Sequence, residues 1–371
     1  MKILYVITST DLGGAEKFLT ELVKVSAKKH TVEVVSLNKE GCLTEQLYAN
    51  GARKVLSCNM TKSYKMGIVR ELARIIDSFK PDIVHAFLYR AIQFCRLACA
   101  KKKCKLISSP HFDMAKRNFL LRGLDRFLRP VDFLCVAESF STARYLTEKQ
   151  KYRKDKVYFL PNGVDKTKFF PTDAVRDPMR KKYNFSADNI VFISVARLAP
   201  VKDPMTLLKA FCKVYRGNKN VRLVWVGNGE KRQEADAFIA SNNLQKSVLL
   251  VGQQDNINDF LNMADVFVLP SIEESLPLSL LEAISAGLPC IVGDVGDMKM
   301  WVSHGKNGFV FKAKDEVLLS CLMAELAKND ELRDKMKQAS IQKSQEIIDP
   351  FERYQQIYEQ IENKKFSCEN F

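Results

Sequence analysis

The chain has 371 residues, yet no apolar run approaches the roughly 18 residues a membrane-crossing helix needs, so none is expected. Residues 1–7 are briefly apolar. They turn polar at Thr8-Ser9-Thr10-Asp11 with no small-residue cleavage site, which predicts a strand and not a signal peptide. There are ten cysteines but no CxxC pair. The closest group is Cys95, Cys99 and Cys104, and none of the four histidines joins it at zinc-finger spacing. The expectation is therefore no metal site, and thiols kept free in a reducing cytoplasm. A GxGxxG fingerprint is missing, which weakens a nicotinamide-dependent dehydrogenase. So is a Gly-x-Ser-x-Gly elbow, and with it a hydrolase nucleophile. No Asp-x-Asp pair follows a strand. A content of 46% hydrophobic and 27% charged residues excludes disordered, collagen-like and disulfide-scaffold classes.

What is present in excess is positive charge, +15 overall. Residues 1–175 hold 32 basic and 17 acidic side chains, whereas residues 176–371 hold 26 of each. The whole excess lies in the first half, which implies two units with different surfaces. A basic face suits nucleic acid, an anionic membrane or an anionic substrate.

Short apolar runs alternate with amphipathic ones. Strands are expected at 3–7, 32–37, 55–58, 82–87, 106–108, 133–137 and 157–160, with helices at 16–28, 67–79, 90–100 and 139–147 between them. Turn-forming residues dominate from Pro161-Asn162-Gly163 to Ile190. A second series follows, with strands at 190–195, 221–226, 248–251, 266–269 and 289–292, helices at 204–215 and 278–285, and only helices to the end. Pro350 can start the last helix. Repeated β-α-β predicts an α/β protein of two doubly wound, Rossmann-like parallel sheets. The division reads as 1–170, 171–349 and a C-terminal helix in 350–371 that is expected to pack back on the first unit. In such sheets ligands bind beyond the carboxyl ends of the strands, here in a cleft between two facing units.

Four clusters fall at those ends. Thr10-Asp11-Leu12-Gly13-Gly14-Ala15-Glu16 joins the first strand to the first helix. Gly13 and Gly14 let a ligand approach the backbone, and a helix N-terminus favours an anion. Arg197 and Lys202 share the loop after the strand at 190–195, and two cations there suit a diphosphate. In Pro270-Ser271-Ile272-Glu273-Glu274-Ser275-Leu276-Pro277-Leu278, Glu274 lies on the loop and Glu282 follows eight residues later. Carboxylates there can accept hydrogen bonds from sugar hydroxyls. The amides of Leu276 and Leu278 can face an anion, whereas Pro277 has no N–H. His111, in Ser109-Pro110-His111-Phe112-Asp113, has the loop position a catalytic group prefers. His85, inside an apolar strand, reads as a core histidine.

These clusters, together with Pro161-Asn162-Gly163-Val164-Asp165, Val226-Gly227-Asn228-Gly229-Glu230 and the stretch from Ala264-Asp265 to Leu288-Pro289, resemble glycosyltransferase family four over nearly the whole chain. The resemblance implies a GT-B fold and a retaining transferase that uses a nucleotide-sugar donor. It assigns Arg197 and Lys202 to the donor diphosphate, Glu274 to the donor sugar and Glu282 to the ribose hydroxyls. Val251 falls where the family's backbone meets the base. Gly13 and Gly14 reach the diphosphate from the N-terminal side, and His111 is placed near the sugar's hydroxyls. Two positions depart from the pattern. Asp297 and Met300 stand where the family usually has Gly and Glu after Asp294-Val295-Gly296, and Ser275 replaces a common Gly. They bear on the choice of donor sugar and not on the reaction class.

The expected reaction moves a sugar, with a UDP-sugar as expected donor, to a hydroxyl of a glycan or lipid-linked acceptor. The setting is cell-surface polysaccharide, lipopolysaccharide or glycolipid synthesis in the cytoplasm. No cofactor is expected beyond the co-substrate, and metal independence is expected. The competing reading is a basic nucleic-acid-binding α/β protein. Lys101-Lys102-Lys103-Cys104-Lys105 lacks the interleaved aromatics such a binder uses, so nucleic acid is not expected as a partner. Phe119-Leu120-Leu121-Arg122-Gly123-Leu124-Asp125-Arg126-Phe127-Leu128-Arg129 mixes apolar and basic residues at helical spacing. It is a candidate for lying on an anionic membrane surface, and equally for a core-packed surface helix.

Overall fold

The computed structural model describes residues 1–11, 13–60, 66–111 and 118–367. They form two compact units, one of Met1–Asn162 with Pro350–Phe371 and one of Gly163–Asp349.

The first unit begins β1 (Lys2–Ile7), α1 (Gly14–Ser26), β2 (Thr31–Ser36), α2 (Thr44–Ala49) and β3 (Lys54–Ser57). It continues α3 (Met66–Phe79), β4 (Ile83–Phe87), α4 (Tyr89–Cys99), β5 (Lys105–Ser109) and α5 (Phe119–Leu128), then β6 (Leu134–Ala137), α6 (Phe140–Arg144) and β7 (Val157–Phe159). The strands form one sheet in the order β3-β2-β1-β4-β5-β6-β7, and every pairing is parallel. Ile3, Leu4, Tyr5, Val6 and Ile7 are all fully buried. A sheet covered on both faces produces such a run, because neither side of the strand meets water.

The second unit comprises α7 (Arg176–Lys182), β8 (Ile190–Val195), α8 (Pro204–Gly217), β9 (Val221–Val226), α9 (Arg232–Ser241), β10 (Val248–Gly252), α10 (Ile257–Met263) and β11 (Val266–Leu269). It closes with α11 (Leu278–Ser285), β12 (Cys290–Gly293), α12 (Met298–Trp301), β13 (Gly308–Phe311), α13 (Glu316–Lys328) and α14 (Asp330–Ser344). Its parallel sheet runs β10-β9-β8-β11-β12-β13. Two hydrophobic clusters cover its faces, one through Phe260, Phe267 and Ile284, the other through Phe192, Phe211 and Trp225.

The last helix, α15 (Pro350–Glu362), belongs to the first unit. Its Tyr354 and Tyr358 are buried, and the Tyr358 hydroxyl meets His85 Nδ1 at 2.6 Å. His85 Nε2 meets Ser109 Oγ at 2.8 Å, and Tyr5 Oη meets Ser26 Oγ at 2.7 Å. Burial holds His85 well below its usual pKa, so it serves as a neutral core histidine. A buried polar network must be satisfied to be tolerated, and α15 supplies part of that satisfaction.

Two expectations differ from the structure. The units divide at Asn162/Gly163 and not at 170/171. Residues just after the division are tied to the second unit: Val164 lies in its core, and Thr172 N donates to Asn262 Oδ1 at 2.7 Å. The expectation of only helices after residue 292 is also corrected. Residues Gly308–Phe311 form an edge strand paired with β12. Its four residues are too short to show an alternation, and Gly308 starts it at a φ of +153°.

Candidate active site

In each sheet the strand order reverses at one place, between β1 and β4 in the first and between β8 and β11 in the second. Doubly wound sheets open a crevice there, beyond the carboxyl ends of the strands. The second unit places Arg197 and Lys202 on the loop after β8 and Glu274 on the loop after β11, the two strands flanking the reversal.

Lys202 Nζ and Glu274 Oε1 form an ion pair with side chains 19% and 11% exposed. Ser271 Oγ donates to the same carboxylate oxygen at 2.9 Å, and Ile272 N donates to Val201 O at 2.9 Å. The two loops are therefore joined by backbone as well as by charge. Arg197 is exposed, and among the described residues its guanidinium makes no hydrogen bond or ion pair. Its backbone is fixed, because Trp225 Nε1 donates to the neighbouring Ala196 O at 2.8 Å and Leu198 N to Asn228 O at 3.0 Å. The result is an anchored loop that presents a planar, permanently charged fork.

Close backbone packing holds these loops. A methyl group on Gly227 would lie 2.1 Å from Ala196 O, and one on Gly296 would lie 2.3 Å from Glu274 O. Both glycines also have positive φ, +131° and +54°. Glycine is thus required twice, once by space and once by conformation. Leu278 opens α11 after Pro277, so its amide is among the first-turn donors that lack an intrahelical acceptor. The Leu276 side chain is buried in the core. Glu282 is half-buried in α11. Val251 lies in β10, where the register shifts, and its carbonyl already accepts from Gln254 Nε2 at 2.9 Å.

In the first unit Gly13 precedes α1 at the carboxyl end of β1, and Leu12 lies outside the described residues. A methyl group on Gly14 would meet nothing within 4 Å, so a ligand has room there. The Glu16 carboxylate folds back over Gly13, where a methyl group would lie 2.1 Å from Oε2. A carboxylate three residues into a helix commonly turns back this way. His111 follows β5 and adopts a left-handed φ of +49°. Its ring lies 5.0 Å from that of Phe18 and 5.6 Å from that of Phe87, and its Nε2 is buried without a hydrogen-bond partner among the described residues. Burial pushes its pKa down to about 4, which keeps the ring neutral at pH 7. Phe112 and Asp113 lie outside the described residues.

The structure thus brings Lys202 and Glu274 into contact and places Arg197 on the same anchored loop as Lys202. Gly13, Gly14 and His111 gather at the carboxyl edge of the other sheet. The sequence reading missed Ser271 and Trp225. Ser271 lies three residues before Glu274 in the same loop and Trp225 reaches Ala196 from a neighbouring strand 29 positions away, and neither contact has a local sequence pattern.

Two Rossmann-like units, the second with charged loops at its switch point, are the architecture of GT-B glycosyltransferases. The family comparison agrees. Residues 175–343 match Glycosyl transferases group 1, and residues 12–168 match Glycosyltransferase Family 4. The chain belongs to glycosyltransferase family four, with a group 1 second half, and it is a glycosyltransferase. An O-antigen biosynthesis glycosyltransferase, WclY of Escherichia coli, is 24% identical over 310 residues, 80% of each chain. A UDP-Gal:alpha-D-GlcNAc-diphosphoundecaprenol alpha-1,3-galactosyltransferase of Escherichia coli is 36% identical over 163 residues, 43% of this chain and 42% of that one. In fold the chain resembles Anabaena HepE, solved in complex with UDP, with a TM-score of 0.84 and 18% identity over 98% of this chain and 100% of that one.

Proposed function

We propose that the protein transfers a sugar from a UDP-sugar to a hydroxyl of a glycan or lipid-linked acceptor, with retention of the anomeric configuration, in the assembly of a cell-surface polysaccharide, lipopolysaccharide or glycolipid. The observation that carries this reading is the Arg197 guanidinium, anchored by its backbone and without a partner among the described residues, on the same loop as the Lys202–Glu274 pair at the switch point. A transferase must stabilise a departing diphosphate, and positive charge held in place before the reaction does so without reorganisation. The uridine choice is supported by the UDP bound to HepE and by the donor named for the Escherichia coli galactosyltransferase. The acceptor class is supported by the names of that enzyme and of WclY.

In this reading the bond between the anomeric carbon and the diphosphate oxygen breaks, and its electron pair stays on the leaving phosphate. Arg197 and Lys202 hold that charge. The acceptor hydroxyl attacks the same face of the anomeric carbon and gives its proton to the leaving phosphate oxygen. Glu274 orients the donor sugar through its hydroxyls, and Glu282 holds the ribose hydroxyls. Leu276 and Leu278 supply backbone donors, the backbone at Val251 meets the base, and Gly13 and Gly14 give the diphosphate room. His111, neutral and with an Nε2 unpartnered among the described residues, is suited to a sugar hydroxyl. Two fixed cations supply the charge this mechanism requires, and in this reading it uses no metal or other cofactor. Among the described residues no helix is long and apolar enough to cross a membrane. Nine described cysteines are free thiols, which supports a cytoplasmic location.

Thermal unfolding with UDP, GDP, ADP and their sugar conjugates tests the donor, because a ligand selective for the folded state raises apparent stability. UDP and one UDP-sugar are expected to raise the melting temperature. NMR of the product's anomeric proton then reads the stereochemistry. No response to any nucleotide defeats the donor assignment, and an inverted product defeats the mechanism.

A further inference from the structure

Helix α5 leaves in solvent large apolar side chains that a core-packed helix would bury. Its single acid, Asp125, is 2% exposed, whereas Phe119, Leu120 and Phe127 are 72%, 67% and 79% exposed. These are the three most exposed large hydrophobic side chains among the described residues. Residues 119, 123 and 127 share one helix face, 120 lies beside it, and a methyl group on Gly123 would meet nothing within 4 Å.

A buried ion pair fixes that orientation. Arg96, 1% exposed, bonds Asp125 Oδ1 through Nη1 at 2.6 Å. It also holds Asp132 through Nε at 2.8 Å and Nη2 at 2.6 Å. With Asp125 turned inward, the outer face of α5 carries no acid. Arg126 is exposed there, and its Nη2 donates to Lys149 O at 2.9 Å. This bond brings alongside the loop that carries the exposed Lys149 and Lys151.

We propose that α5 and this loop form a docking surface for an anionic lipid bilayer. Phe119, Leu120 and Phe127 enter the boundary between headgroups and acyl chains, and Arg126, Lys149 and Lys151 meet lipid phosphates. Charge selects a bilayer over a second copy of the chain. Residues 1–175 hold 32 basic against 17 acidic side chains, so two copies would bring like charge together. The proposal stands on α5 alone and is independent of which sugar is transferred.

Co-sedimentation of the full chain with vesicles tests it. One set is phosphatidylcholine only, and the other has a third of its lipid replaced by phosphatidylglycerol. Binding is expected to the anionic vesicles and not to the neutral ones, and to weaken as salt rises. Phe119→Ser and Phe127→Ser are each expected to weaken it about tenfold, and Arg126→Glu to weaken it as well. The melting temperature should stay unchanged, because these side chains project into solvent. Equal binding to both vesicle types, no binding, or wild-type binding by the serine variants overturns the proposal. So does a Phe127→Ser variant that only converts a dimer to a monomer, since a second copy would then be the occupant.

Discussion

The sharpest use of the loop geometry is a pair of glycine substitutions. In Gly296→Ala the added methyl would lie 2.3 Å from Glu274 O and 2.4 Å from Ser275 O, distances real methyl carbons essentially never reach. The loop carrying Glu274 must retreat from 2.3 Å to beyond 3.0 Å, a shift of about 0.7 Å. It cannot do so freely, because Asp297 N is bonded to Ser275 O at 2.9 Å and Ser271 and Lys202 hold the Glu274 carboxylate. A misplacement of about 1 Å at a reacting group can cost on the order of a hundredfold in rate, so a loss of about ten- to a hundredfold in kcat/KM is expected. The left-handed backbone adds a stability cost of about 1–2 kcal/mol.

Gly305→Ala separates the two effects. Gly305 has a φ of +79°, but a methyl group there meets nothing within 4 Å. It should show the same backbone strain, a melting temperature lower by about 2–8 °C, and unchanged kcat/KM. The assay is initial-rate transfer from the donor found by thermal screening, with circular dichroism to confirm folding. A folded Gly296→Ala enzyme with kcat/KM within twofold of Gly305→Ala would refute the claim that the Glu274 loop must be held in place for transfer.

Other expectations concern the first unit. Asp125→Ala removes the Arg96 contact, the Gln93 Nε2 bond at 3.0 Å and the Tyr152 hydroxyl bond at 3.1 Å, which leaves Arg96 partly unpaired in the core. A loss of about 3–5 kcal/mol follows, read as a lower urea midpoint; a loss under about 1 kcal/mol would contradict it. His111 titrates in the unfolded chain near pH 6.5 but in the folded chain at about 4. The unfolded state therefore binds the extra proton, and stability is full above pH 6.5 and falls toward pH 4 by up to about 3 kcal/mol. His30 and His85 add loss in the same direction. His111→Asn, which tolerates the left-handed backbone, should flatten part of this slope in urea titrations across that range; parallel curves would refute the assignment.

Much of the fold was legible because parallel strands covered on both faces are continuous apolar runs, and twelve of the thirteen lie within one residue of their expected ends. The helix at 278–285 was read with its bounds intact, since Pro277 and Gly287 bracket it. What escaped has physical causes. The helices α2, α7, α9 and α10 were missed because they are short or weakly amphipathic, and the edge strand β13 because it is only four residues long. At the candidate site Arg197, Lys202 and Glu274 were legible as candidates because they stand on loops after apolar strands, and Glu282 because it is a carboxylate inside the otherwise apolar helix α11. Their support was not. Ser271 on Glu274 joins residues three apart inside a loop, and Trp225 on Ala196 spans 29 positions between neighbouring strands. The break at Pro161-Asn162-Gly163 marks the division, but that the residues up to 170 join the second unit was not legible, because Thr172 and Phe170 bond to α10, about 90 residues downstream. The inward turn of Asp125 could not be read from a helix whose charges look evenly mixed.

The central claim is that the loop after β8 holds the donor's diphosphate. Calorimetric titration of UDP into the wild-type chain and into Arg197→Ala tests it most directly. The guanidinium makes no contact among the described residues, so its removal should leave the fold and melting temperature unchanged. Loss of a charge-assisted pair to phosphate corresponds to about 1.5–3 kcal/mol, so the variant should bind UDP about ten- to a hundredfold more weakly. Equal UDP affinity in the two proteins would contradict the account.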